Sequence, residues 1–344
     1  MSQFELVLGL ESSCDETAAA VVRRGREVLS NVISSQVAIH QAYGGVVPEV
    51  ASRNHLERCI PVVDQAISEA GIDLEQLDGV AVTYGPGLVG SLLVGVSVAK
   101  ALAFALDIPL IGVNHVEGHI YANLLAYPEL EPPLLCLTVS GGHTAVLFLE
   151  TSGYYQVLGR TRDDAAGEAF DKIARVLGLG YPGGPAIERM AKDGNPTAIE
   201  FPRALHGEET LDFSFSGLKT AVLNYLNQLR QKQGERLSTE QVADVAASFQ
   251  AAVIDSLVEK AVLAVKQTGI RKMALSGGVA ANTALRQRLQ QALAELGAEF
   301  YAPPLAYTTD NAAMIASAGY HRLVLGERSD LTLNAVPNLR FEKV

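Results

Sequence analysis

Phe4-Glu5-Leu6-Val7-Leu8-Gly9-Leu10 alternates apolar residues in the manner of a strand and sets the reading of everything after it. Ala18 to Val22 is a second apolar run and Glu27 to Ser35 a third, which together make a β-meander. A helical pattern follows from about Arg53 to Ala70, then strand Val80-Ala81-Val82, helix Ser91 to Leu106 and strand Leu110 to Val113. Strands interleaved with helices in this way indicate an α/β fold. Tyr127-Pro128-Glu129-Leu130-Glu131-Pro132-Pro133 reads as a boundary loop. Beyond it a second meander begins, with strands Leu134 to Val139, Thr144 to Glu150 and Tyr154 to Arg160. Helices at 165–178, 216–233, 239–267 and 282–296 follow, with a short strand from Lys272 to Leu275. Two meander-then-helix runs imply a duplicated architecture, although the two runs share little sequence. The domains expected are 1–130 and 131–310, with the C-terminal stretch 311–344, led by a helix of small residues from Asn311 to Leu325, returning to the first.

Composition narrows the class. The 344 residues are long for one core, and 48% hydrophobic with 19% charged residues suits a soluble globular protein. Cys14, Cys59 and Cys136 are odd in number and far apart, which fits a reducing compartment without a disulfide framework. The opening segment has neither a basic n-region nor a cleavage-site pattern, so the location expected is the cytoplasm. Leu88 to Leu106 is interrupted only by Lys100, yet Gly90, Ser91, Gly95 and Ser97 suit a buried helix between sheets better than a membrane span. A net charge of −11 disfavours strong autonomous binding to nucleic acid, which depends on neutralising phosphates. Local basic clusters stand at Arg160/Arg162, Arg230/Lys232/Arg236 and Arg286/Arg288.

Asn114-His115-Val116-Glu117-Gly118-His119 places two histidines at i and i+4 directly after a strand. On a helix such positions lie about 40° apart and can share one metal ion. The plainer reading is a helix start with Asn114 as N-cap and the histidines as ordinary polar residues. A zinc protease is excluded. Its H-E-x-x-H pattern puts the base beside the first histidine, whereas Glu117 is turned about 200° from His115. Gly118 costs about 1 kcal/mol relative to alanine and suggests close backbone approach rather than a regular helix.

Three glycine turns each follow a probable strand: Tyr84-Gly85-Pro86-Gly87-Leu88-Val89-Gly90-Ser91, Ser140-Gly141-Gly142-His143 and Ser276-Gly277-Gly278-Val279-Ala280-Ala281-Asn282. Each can be a simple tight turn, or a place where backbone N–H groups approach an anion. None matches a P-loop or a Rossmann fingerprint. The repeated Ser-Gly-Gly is better read as two halves of one nucleotide site. Ser140–His143 would touch phosphate, and Gly277, Gly278 and Asn282 would line the nucleoside.

With Gly9-Leu10-Glu11-Ser12-Ser13-Cys14-Asp15-Glu16-Thr17, these motifs resemble one family, the tRNA N6-adenosine threonylcarbamoyltransferases (TsaD). Further matching stretches are Tyr43 to Glu49, Gly85 to Gly90, Asp163 to Lys172, Tyr181 to Pro185, Asp212 to Lys219 and Thr309 to Ile315. The resemblance runs from about Leu8 to Gly319. It implies the ASKHA fold of actin and sugar kinases: two RNase-H-like domains facing across a nucleotide cleft. It also implies a metal held by His115, His119 and Asp310, with iron or zinc as the candidates. Without the family, Asp310 reads as the N-cap of the helix at 311–325. Substrate contacts fall by resemblance on Thr138, Val139, Ser140, Gly141, Gly142, Asp171, Gly184 and Asn282, with Glu188 as a ribose partner. Asp15 and Glu16 stand where the superfamily places an acid near phosphates, and are the candidates to accept a proton. Lys219 could pair with phosphate or be a surface residue, and His143 can be merely a hairpin residue.

The reaction implied is transfer of threonylcarbamoyl from L-threonylcarbamoyl-adenylate to the N6 amine of the adenosine 3′ of the anticodon, position 37, in tRNAs reading ANN codons. AMP is released. Partners implied are tRNA, an inactive paralogue (TsaB) that pairs through first-domain helices including Arg53–Ala70, and a small ATPase (TsaE). A small-molecule kinase of the same superfamily, or a nucleotide-dependent scaffold, would share the glycine turns but need no metal triad.

Overall fold

The computed structural model describes residues 4–233 and 237–341. Arg236 of the second basic cluster, and the extreme ends of the two expected outer segments, lie outside the described residues. The chain begins with strands β1 (Leu6–Glu11), β2 (Glu16–Arg23) and β3 (Glu27–Ser35), then helices α1 (Val37–Gln41) and α2 (Pro48–Ala70). Next come β4 (Gly79–Gly85), α3 (Val89–Leu106), β5 (Leu110–Asn114) and α4 (His115–Ala126). A second series opens with β6 (Leu134–Val139), β7 (Thr144–Thr151) and β8 (Tyr154–Arg160), then α5 (Ala166–Val176), α6 (Gly183–Ala191), α7 (Ser216–Gln233) and α8 (Thr239–Thr268). It closes with β9 (Lys272–Ser276), α9 (Thr283–Ala294) and β10 (Glu299–Tyr301), after which α10 (Ala312–Val324) follows.

Two compact units result. One gathers Met1–Pro132, Leu149–Gln156 and Pro303–Val344; the other gathers Pro133–Phe148 and Val157–Ala302. Each is built on a five-stranded sheet. The first has strand order β3-β2-β1-β4-β5, antiparallel through the meander and parallel from β1 to β4 to β5. The second has order β8-β7-β6-β9-β10, with β6, β9 and β10 parallel. Counted from its own first strand, each sheet therefore has the same order, which makes the duplication explicit.

Alternation along β1 decides which helices cover which face of the first sheet. Leu6, Leu8 and Leu10 join a core with Val62, Val63 and Ala66 of α2 and Val96 and Ala99 of α3. Val7 points to the other face, into a core with Ala312 to Ala316 of α10 and Tyr121 and Ala122 of α4. Gly9 lies on that face too, and a Cβ there would come 2.6 Å from the Ala316 backbone nitrogen. Glycine is thus what lets α10 seat on the strand. In the second unit one core runs from Leu135, Leu137 and Val139 through Phe170 to Phe249 and Leu257 of α8. Ser238 and Gln241 close a capping box at the start of α8.

Several expectations need correction. The burial expected of the apolar helix holds for one face only. Leu92, Val96, Ala99 and Ala103 of α3 line the core beside α2, while Val89, Leu93 and Phe104 are exposed. Among the described residues α3 alone is long and apolar enough to cross a membrane. Gly118 does not distort α4, which runs unbroken from His115 to Ala126. α2 starts at Pro48, five residues before the first residue of the helical pattern, because proline suits the first helical turn. The five-residue α1 and the three-residue β10 are too short to carry a periodic signature, whereas the nine-residue α6 is amphipathic and buries Ala186 and Ile187.

Candidate metal centre and glycine turns

Unit one places three chemically distinctive loops at the C-terminal ends of its parallel strands, the position where open α/β sheets bind ligands. β1 runs into Glu11-Ser12-Ser13-Cys14-Asp15, β4 into Gly85-Pro86-Gly87, and β5 into Asn114-His115. Leu88 N–H donates to the Ser13 carbonyl at 2.8 Å, tying the first two loops together. Asn114 caps α4 as expected, its side-chain oxygen accepting from Val116 N–H at 2.9 Å. Starting the helix there puts His115 and His119 on one face, with ring centroids 4.7 Å apart.

Asp310 joins them from the loop before α10. Its Oδ1 lies 3.4 Å from His115 Nε2 and 3.3 Å from His119 Nε2, and the three ligand atoms are within 4.8 Å of one another. The N-cap of α10 is Asn311, not Asp310, since the Asn311 side chain accepts from Met314 N–H at 3.1 Å. His119 is buried with neither ring nitrogen hydrogen-bonded. A buried imidazole is costly in that state, and a divalent ion would satisfy it. Burial by itself would discharge His115, but Asp310 and Glu11 outweigh it and hold its pKa well above the ordinary imidazole value. These carboxylates thus demand a positive charge at this point, which a metal ion can supply as well as a proton. The donor set of two imidazoles and one carboxylate fits iron or zinc.

Glu11 had no role in the sequence reading. Its Oε2 lies 2.9 Å from His115 Nδ1 and accepts from Thr83 Oγ1 at 2.6 Å, while Oε1 accepts from Ser13 N–H at 2.6 Å. A carboxylate closing an otherwise apolar buried strand was the available signal, because such a group requires partners. Asp15 is buried. Burial, then the charges of Asp15 and Asp310, push Glu16 up to about 9, while Ser35 Oγ donates to its Oε1 at 2.9 Å. Glu117 points away from the histidines, as its helical angle requires. Its Oε1 sits 3.5 Å from Arg322 Nε of α10, and burial pushes its pKa up to about 7.

In unit two the Ser-Gly-Gly turns stand side by side. Thr138 and Ser276 are paired across β6 and β9, with hydroxyl oxygens 2.9 Å apart. Gly277 has φ +88°, and a Cβ on it would meet the Val139 carbonyl carbon at 2.7 Å, so only glycine permits this approach. Gly141, Gly142 and Gly184 border open space. Gly167 N–H, in the first turn of α5, donates to the Ser140 carbonyl at 3.2 Å. The side chains assigned to substrate here already have local duties. Asp171 Oδ1 accepts from Gly183 N–H at 2.7 Å, and Glu188 Oε1 accepts from Thr283 N–H at 2.9 Å. Asn282 caps α9 through Leu285 N–H at 2.9 Å and donates to Gln250 Oε1 at 2.8 Å. Lys219 pairs with Asp164 at 2.9 Å, and His143 N–H donates to Ser140 Oγ at 3.1 Å. Among the basic clusters, Arg162 is paired with Asp212 and Arg288 with Asp255.

Comparison with known proteins adds the rest. The family model described as "TsaD: tRNA N6-adenosine threonylcarbamoyltransferase" matches residues 27–317. A Symbiobacterium thermophilum protein of that name is 60% identical over 334 residues, covering 97% of this chain and 96% of the relative. A Clostridium botulinum protein of the same name is 56% identical over 335 residues, covering 97% of each chain. Among solved structures, full-length HypF aligns with TM-score 0.62 at 16% identity, covering 96% of this chain. This chain spans 48% of that HypF chain. Component A of the Acidaminococcus fermentans (R)-2-hydroxyglutaryl-CoA dehydratase aligns with TM-score 0.52 at 14% identity, covering 92% of this chain and 98% of the other. These structural likenesses show the ASKHA type of fold.

Proposed function

This chain belongs to the tRNA N6-adenosine threonylcarbamoyltransferases, tRNA-modifying transferases, and from that premise we propose which substrates it joins and which residues serve them. The donor is L-threonylcarbamoyl-adenylate. The acceptor is the N6 amine of adenosine 37 in tRNAs that read ANN codons. The amine attacks the carbamoyl carbon, the bond from that carbon to the phosphate oxygen breaks, and AMP leaves with the electron pair. The amine proton passes to a carboxylate, for which Asp15 and Glu16, on the loop and strand that follow β1, are the candidates. An adenine amine is a poor nucleophile, so positioning and polarisation carry most of the rate.

His115, His119 and Asp310 hold the metal, and their convergence is the observation that carries this reading. A bound divalent ion, iron or zinc, supplies Lewis acidity toward substrate oxygens. In unit two the adjacent turns at 138–142 and 276–278 offer backbone N–H groups to the adenylate phosphate, with Gly141 and Gly142 open to it. Because the Asp171, Glu188 and Asn282 side chains already brace the loops around these turns, each meets the nucleoside only through its remaining donor or acceptor capacity.

The work is shared with partners in the cytoplasm. Leu56, Ile60 and Phe104 are 68%, 58% and 74% exposed on α2 and α3, an apolar surface that supports docking of the paralogue TsaB, with TsaE as the ATPase. Mass spectrometry of tRNA nucleosides tests the reaction: with synthetic threonylcarbamoyl-adenylate and the partners present, N6-threonylcarbamoyladenosine forms and AMP is released. Modification that instead required only ATP and produced ADP would replace this reading with a kinase.

A further inference from the structure

We propose that Glu11 is a positioning residue for the metal: it fixes the proton of His115 on Nδ1 and so presents the Nε2 lone pair to the ion. The inference rests on the reading of His115, His119 and Asp310 as ligands. A carboxylate can only accept, so the 2.9 Å contact between Glu11 Oε2 and His115 Nδ1 places the hydrogen on Nδ1. Ser13 Oγ, at 3.3 Å from the same nitrogen, is the more distant partner. Nε2 is then the coordinating atom, and it is the nitrogen that faces Asp310 Oδ1, 3.4 Å away.

Apart from His115, two further donors hold Glu11. Thr83 Oγ1 donates to Oε2 and Ser13 N–H to Oε1, both at 2.6 Å, and the residue is fully buried. Such a carboxylate has no rotamer to escape into, so its direction is passed to the imidazole. The contrast with His119 sharpens the assignment. His119 has no hydrogen bond at either nitrogen, so within this triad the outer support goes to His115 alone. Outer partners of this kind raise ligand basicity and fix ring orientation.

The test titrates Co(II) into the full-length metal-free protein, reading the affinity and the d–d absorption band, beside the thermal midpoint of the same samples. Wild type binds, and His119→Ala binds far more weakly; if His119→Ala binds as wild type does, the ligand assignment itself fails. Granted that, Glu11→Gln is expected to weaken Co(II) binding by about 10–100-fold and shift the band, with the apo thermal midpoint kept. Unchanged affinity and band in Glu11→Gln overturn the inference while leaving the ligands standing. Should Glu11→Gln not fold, Thr83→Val decides, since it frees one side of the carboxylate without touching His115. A loss of affinity of about 2-fold or more supports the inference, and wild-type affinity overturns it.

Discussion

Asp310 and Asn311 are neighbours with different duties. Asn311 caps α10, which leaves the Asp310 carboxylate to face His115 and His119. Either residue type makes a good cap, so the sequence permitted both assignments. The adjacent asparagine was the clue that the aspartate was spare. Asn311→Ala should cost about 1 kcal/mol of stability in chemical denaturation. His115→Ala should lose both metal, by elemental analysis, and threonylcarbamoyl transfer, while its far-UV circular dichroism stays native. Full-rate tRNA modification by that variant would sink the site. Glu11 shows what local reading misses. Its partners, Thr83 and His115, come from other strands' ends, so its role depends on the sheet having formed.

Helix α4 meets α10 at Gly118. A Cβ there would stand 2.6 Å from Ile315 Cδ1 and 3.2 Å from Met314 Cγ. Two effects oppose each other in Gly118→Ala. Alanine gains about 1 kcal/mol of helix propensity, whereas overpacking costs about 1–3 kcal/mol. Since Asp310 enters α10 beside the contact, spreading the helices should also weaken Co(II) binding. The expected result is a lower denaturation midpoint and a lower metal affinity together; a more stable variant with wild-type affinity would show that Ile315 simply swings aside. The close approach expected at Gly118 is made by α10, almost two hundred residues later in the chain, while α4 itself stays regular. The long meanders and amphipathic helices were legible because their periods are local, unlike the three-residue β10. At the start of α7, Asp163 accepts from Ser214 Oγ and Ser216 Oγ and from Phe215 and Ser216 N–H. Partial burial opposes its charge, but these bonds prevail and lower its pKa. A depressed carboxylate contributes stability that is present above its unfolded value of about 3.9 and lost as pH falls through the folded one. Urea midpoints should therefore drop below about pH 4, less steeply in Asp163→Asn; the group is exposed, so the difference will be modest.

All three metal ligands belong to one unit. A ligand that binds only the folded state stabilises by RT ln(1 + [L]/Kd), about 2.7 kcal/mol at a hundredfold excess over Kd. Metal should therefore slow hydrogen exchange in β1, α4 and α10 and leave α8 of the other unit unchanged. Uniform slowing across both units would contradict that. The same segmental make-up, with Pro303–Val344 completing a unit begun at the N-terminus, has a consequence for biosynthesis. During translation the sheet face carrying Val7, Ala20 and Ala81 waits for Ala312 to Ala316 to emerge. At about 5–20 residues per second the roughly 230 residues from Ala81 to Ala312 take about 12–46 s. A nascent chain arrested before Asp310 can own both histidines yet neither close the metal site nor cover its apolar face, which makes it a natural client for chaperones on the ribosome.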